Sequence, residues 1–160
     1  RARVEVTLVS ISDSLNVTSS HGVTVVANSL LSDTDLSDGD LLFLPGGMPG
    51  STHLAESEAL AKVINEYAEQ GKWLAAVCAA PMVYGRMGLL KGRKATCYPH
   101  FEEQLLGADV QKKTCVRDGQ FITGCGAGAG FAIGREMAEV LVGKDTADAV
   151  LRQMMFNVYE

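Results

Sequence analysis

Long apolar runs, a surplus of positive charge and closely paired cysteines are all scarce in this 160-residue sequence. The longest apolar stretch, residues 73–84, is far short of the roughly 18 residues a bilayer-spanning helix needs, and it carries Pro81, so the reading is not a membrane protein. Fourteen basic residues stand against 19 acidic ones, for a net charge of −5, and they are scattered, which leaves no footprint for a nucleic-acid backbone. The four cysteines, Cys78, Cys97, Cys115 and Cys125, lack any CxxC spacing, which argues against a zinc ribbon or a thioredoxin-type pair. His21, His53 and His100 show neither HxH nor HExxH spacing, so no metal is expected. Apart from Arg1 there is no charged-then-apolar leader, and the pattern does not resemble a disulfide scaffold, so a reducing cytoplasm is the expected location. With 47% hydrophobic and 21% charged residues the chain reads as globular, and its length suits a single domain over 1–160.

What is present is strand and helix patterning in alternation. Val4, Val6 and Leu8 alternate with Glu5 and Thr7, predicting a strand over 4–11 with one buried face. Residues 21–26 form a second β-branched run, and the acidic stretch 33–40 reads as a surface connection. Residues 41–44 are continuously apolar and end at Pro45-Gly46-Gly47, the pattern of a central parallel strand covered on both faces. Leu60, Val63, Ile64, Tyr67 and Ala68 recur at helical spacing between Ser57 and Gly71. Residues 73–77 predict another buried strand, followed at once by a helix over 79–87 with Pro81 in its first turn. Beyond it the patterns predict a strand over 94–97, a short helix over 101–106, and a hairpin of 115–117 with 121–123 across Asp118-Gly119. Helices over 131–142 and 146–155 close the chain. This alternation implies a three-layer α/β domain around a mostly parallel sheet.

Ala76-Val77-Cys78-Ala79-Ala80 has the shape of a nucleophile elbow: a strand, one nucleophile, a helix, and small residues two positions away on either side. A strand that turns directly into a helix crowds the neighbours of the central residue, so small side chains fit while the nucleophile projects above the sheet. A thiol at a helix N-terminus meets free backbone NH groups and the positive end of the dipole, both of which favour the attacking thiolate. The other reading of Cys78 is a buried small hydrophobe, the usual fate of a free cysteine. Gly46 and Gly47, at the end of a neighbouring strand, can turn NH groups toward a developing oxyanion, or can simply form a tight turn. The run from Gly124 to Gly130 invites a dinucleotide reading, but Phe131 stands where the third glycine belongs, so it reads as a loop flanking the pocket and no cofactor is expected. His100 could hang over the elbow as a base or remain a solvated loop histidine, and Cys125 could approach the pocket from the glycine loop. Cys97 and Cys115 read as packing residues.

Taken in order, LPGG, AAVCAAP, KATCYP and ITGCGAGAG resemble the ThiJ/PfpI superfamily, specifically its Parkinson-associated DJ-one branch and bacterial relatives. The resemblance implies a flavodoxin-like three-layer sandwich, a homodimer, Cys78 as the reactive cysteine, and an oxyanion pocket from the NH groups of Gly47 and Ala79. In the protease-like branch the residue after the cysteine is a histidine; Ala79 in that place argues against peptidase activity. The resemblance further implies three roles for one thiolate: a cofactor-free glyoxalase or deglycase acting on 2-oxoaldehydes or early glycation adducts, an oxidation sensor, or a holding chaperone. A hydrolase of the PfpI type with His100 as base is a further reading. The family opens with a strand and a helix whose connecting turn carries a glutamate beside the cysteine, and residues 1–4 match the end of that helix and the start of the second strand. The expectation is therefore that a separate segment of about 30 residues completes the sheet and supplies that carboxylate. Cys125, where several relatives carry a polar or basic residue, leaves the choice of small aldehyde or glycated substrate open.

Overall fold

In the computed structural model, which describes residues 1–156, the N-terminal third is built of short strands: β1 (Val9–Ser10), β2 (Asn16–Thr18), β3 (Thr24–Val26) and β4 (Ser29–Leu30). The last four positions of the predicted 1–160 domain lie outside the described residues. β5 (Leu41–Leu44), α1 (Gly50–Glu56), α2 (Glu58–Glu69), β6 (Trp73–Val77) and α3 (Pro81–Arg86) follow. Then come β7 (Lys94–Ala95), β8 (Asp109–Val110), β9 (Cys115–Asp118), β10 (Phe121–Gly124), α4 (Gly130–Val142) and α5 (Lys144–Gln153).

The main sheet has the order β5-β6-β10-β9, with β5, β6 and β10 parallel and β9 antiparallel through the predicted hairpin. Successive β6 side chains point to opposite faces, and each face has its own helices. Leu74 and Ala76 join Leu60, Ile64 and Tyr67 of α2 and Val83 and Tyr84 of α3 in one buried cluster. Ala75 joins Ile122 and Ile133 in a second, with Met137 and Val140 of α4 packed against it. Helix, sheet and helix thus form the flavodoxin-like three-layer sandwich. α2 starts where the Ser57 side chain accepts the Leu60 NH at 3.2 Å, and Pro81 opens α3, where its missing NH costs nothing. Arg117 on β9 and Arg135 on α4 share Glu136 and Glu139, and Arg135 also reaches Asp148 on α5, so charge pairs fasten the closing helices to the sheet.

Several expectations are corrected. Residues 4–11 do not form one half-buried strand: only Val9–Ser10 is paired, while Val6 is 70% and Leu8 47% exposed. The reason is the absence of a neighbour, since β1 pairs with β4 alone in a separate two-stranded sheet. Residues 41–44 form a parallel strand as predicted, but β5 lies at the edge of the main sheet and Phe43 is 38% exposed; β6 and β10 hold the inner positions. The stretch 94–97 is a strand only over β7, which pairs with the unpredicted β8, and the short helix over 101–106 shrinks to a single 3-10 turn, Glu102–Gln104. α1 was not foreseen, because its seven residues are too few to show helical periodicity.

Tyr84 is fully buried, and its hydroxyl donates to the Ala75 carbonyl at 3.0 Å, pinning α3 to the centre of the sheet. Tyr84→Phe removes this bond at constant packing and is expected to lower stability by about 1 kcal/mol, read as a lower urea midpoint with unchanged slope. An unchanged midpoint would show that the hydroxyl adds nothing.

Candidate functional site

The site forms where the parallel strands end. β6 stops at Val77, and Cys78 then adopts φ 63°, a left-handed conformation that costs a non-glycine residue about 1–3 kcal/mol unless its surroundings hold it. Three hydrogen bonds do so. The Cys78 NH donates to the Gly124 carbonyl at 2.9 Å, the Cys78 carbonyl accepts from the Tyr98 NH at 2.8 Å, and the Ala80 NH closes back on Val77 at 3.1 Å. Ala79 and Ala80 are buried against the turn, and α3 begins one residue later. Cys78 itself is half-buried and free.

The end of β5 comes against this turn. A Cβ on Gly46 would lie 2.5 Å from the Cys78 Cβ and 2.7 Å from the Val77 carbonyl oxygen, so only glycine permits the approach. Gly47 follows at φ 97°, and its carbonyl accepts both the Ser51 NH at 2.8 Å and the Ser51 hydroxyl at 2.9 Å. With that carbonyl turned into α1, the Gly47 NH has no hydrogen-bond partner among the described residues, and neither does the Ala79 NH. The structure therefore brings Gly46, Gly47, Cys78 and Ala79 to one place, and Cys125 directly follows the Gly124 carbonyl that holds Cys78.

His100 is a different case. It is exposed at φ 76°, and no hydrogen bond joins its side chain to the described residues. Tyr98, two positions earlier, was missed by the sequence reading and is the residue whose backbone contacts Cys78; its ring lies 3.4 Å from where a Gly126 Cβ would stand, over the glycine loop. The KATCYP segment carried that signal. The thiols also separate by environment. Burial, with the Glu102 and Cys78 charges adding, pushes the Cys97 thiol up to about 11. Burial, with the nearby Glu136 carboxylate adding, pushes Cys115 up to about 11 as well. No three His, Cys, Asp or Glu side chains come together as a metal-ligand set among the described residues.

A three-layer α/β sandwich with a cysteine at a sharp strand-to-helix turn and unpaired NH groups beside it defines a nucleophile-elbow protein. A match to the DJ-1/PfpI family spans residues 1–140. Protein DJ-1 homolog B of Arabidopsis thaliana is 38% identical over 149 residues, which cover 92% of this chain and 34% of that protein, so the chain spans about a third of that relative's length. Protein dj-1beta of Drosophila melanogaster is 31% identical over 157 residues, covering 97% of this chain and 84% of that protein. The solved structure of oxidised Toxoplasma gondii DJ-1 superposes with a TM-score of 0.90 at 31% identity, over 98% of this chain and 85% of that one. The chain belongs to the DJ-1/PfpI family.

Gly46→Ala places a methyl group inside contact distance of rigid backbone. The expected outcome is a loss of about 1–3 kcal/mol in urea unfolding together with an altered rate of Cys78 alkylation, followed by peptide mass. Wild-type values for both would mean that the two strand ends do not meet as described.

Proposed function

We propose that this chain carries a cysteine-dependent, cofactor-free glyoxalase or deglycase that acts on 2-oxoaldehydes or early glycation adducts. The observation that supports it is the pairing of a free thiol at the elbow, Cys78, with the unpaired NH groups of Gly47 and Ala79. The Cys78 thiolate adds to the aldehyde carbon, forming a C–S bond, and the aldehyde oxygen takes the charge as the two NH groups donate to it. A base then moves the proton from that carbon to the neighbouring one, leaving a thioester and a 2-hydroxyl. Water cleaves the C–S bond, releasing the 2-hydroxy acid and the thiol, so the net change is addition of one water. Methylglyoxal consumption is expected to fall to the uncatalysed rate in Cys78→Ser; turnover that survives the substitution overturns the proposal.

The proton transfer needs a carboxylate, and none hydrogen-bonds Cys78 among the described residues. We propose that a strand-and-helix segment outside the described residues supplies it. Two features support a strand at this position: β5 is paired on one edge only, and Val6, Leu8 and Phe43 are exposed nearby in sequence to the strands that would border it. A cleft of about 520 Å³ bounded by Ala2, Gly130, Phe131, Gly134, Ala138 and Leu151 offers a small-residue surface for the helix. Adding a strand-and-helix peptide that carries a glutamate in its turn is expected to raise methylglyoxal turnover by this chain; turnover unchanged by the peptide overturns this part.

The second reading, an oxidation sensor, is supported by the contrast between half-buried Cys78 and the suppressed thiols of Cys97 and Cys115, and by the oxidised form in which a relative was solved.

A further inference from the structure

Cys97 is one residue from Tyr98, whose NH bonds the Cys78 carbonyl, and the proposed mechanism leaves it without a role. The Tyr98 NH donates to the Cys78 carbonyl at 2.8 Å, a bond of the kind that joins adjacent strands. Such bonds hold neighbouring backbones about 5 Å apart, inside the span of roughly 4.4–6.8 Å between the Cα atoms of a disulfide. Cys97 immediately precedes Tyr98, and the Cys78 charge acts on its thiol. Cys97 is 6% exposed and packs in the same cluster as Ala80, the residue two past Cys78. A dissolved oxidant therefore reaches Cys78, which is half-buried, before it reaches Cys97.

We propose that Cys97 is the resolving thiol of Cys78, closing an intramolecular disulfide when a peroxide oxidises the elbow cysteine. The proposal rests on Cys78 being the reactive thiol. In the first step the Cys78 sulfur attacks one peroxide oxygen and the O–O bond breaks, giving Cys78 sulfenic acid and water. In the second the Cys97 sulfur attacks the Cys78 sulfur, the S–O bond breaks, and the hydroxide leaves with the Cys97 proton as water. One peroxide is reduced to two waters while two thiols become one disulfide.

Burial sets the sensitivity of this device. Because the buried Cys97 thiol is pushed up to about 11, it is a slow resolving group at neutral pH. A second peroxide molecule therefore competes for the sulfenic acid. Disulfide is the product at low peroxide, where encounters are rare, and sulfinic acid at high peroxide, where the second oxidation outruns ring closure. The same site then carries a reversible and an irreversible state, separated by dose. The disulfide blocks the thiolate needed for addition to aldehydes, so the lower dose switches turnover off in a form that a reductant restores.

The test is stoichiometric hydrogen peroxide on the whole protein, followed by non-reducing peptide mass analysis, with dimedone present in a parallel sample. A cross-linked Cys78–Cys97 peptide is expected, two hydrogens lighter than its parts and lost on adding dithiothreitol. In Cys97→Ser the same dose is expected to give several-fold more dimedone adduct and sulfinic acid at Cys78, and reductant no longer restores methylglyoxal turnover. Dimedone adduct at Cys78 in the wild type without any cross-linked peptide overturns the resolving role of Cys97 and leaves the reactivity of Cys78 standing. Oxidation spread evenly over Cys78, Cys115 and Cys125 overturns both.

Discussion

Everything chemical in this molecule depends on keeping Cys78 in a backbone conformation that an L residue does not favour. At φ 63° the residue carries its thiol out of the line of β6, and the strain is offset by fixing both of its peptide groups. Gly124 takes its NH and Tyr98 supplies a donor to its carbonyl, so the ends of β10 and of the segment after β7 act as a clamp. Gly46 completes the clamp from β5 by having no side chain where one would collide. Three segments far apart in the chain must therefore arrive together before the thiol is presented; the parallel sheet delivers the ends of β5 and β10, since parallel strands end on one side, and the segment after β7 comes from outside that sheet.

The two cores make that delivery possible. Leu74 and Ala76 face α2 and α3, and Ala75 faces α4, so β6 is held from both sides and its C-terminal end has a defined height. The fully buried Tyr84, bonded to Ala75, ties the helix that follows the elbow back to the strand that precedes it. The N-terminal region is bound less tightly to this frame. β1 and β4 form their own pair, although Ile11 and Leu31 still pack against the main cluster, and the edge of β5 is open. Cys78 and the unpaired NH groups of Gly47 and Ala79 thus sit on the half that is packed from both faces, whereas the strand proposed to border β5 belongs beside the open edge.

The four cysteines of the chain are all free, and they stand in different surroundings for reasons of position alone. Cys78 stands half-buried at a strand end, and Cys125 opens a loop. Cys97 and Cys115 face packed side chains and nearby carboxylates, which disfavour the thiolate. The resolving role proposed for Cys97 draws on that same burial, which slows it as a nucleophile.

The sequence by itself determined the alternation of strands and helices, the amphipathic face of α2, the hairpin at Asp118-Gly119 and the elbow, because each is written in residues close together in the chain. Small residues around Cys78 and the paired glycines after β5 are local requirements of local turns, so their order was enough to identify the family. Only the tertiary structure decided which strand lies at an edge, since 41–44 is equally apolar in either place and edge position depends on what pairs beside it. It also decided that residues 4–7 stay outside any strand and that the Tyr98 NH, and not His100, bonds the elbow. Those outcomes depend on hydrogen bonds between residues 20 or more positions apart, a distance over which no periodicity in the chain carries information.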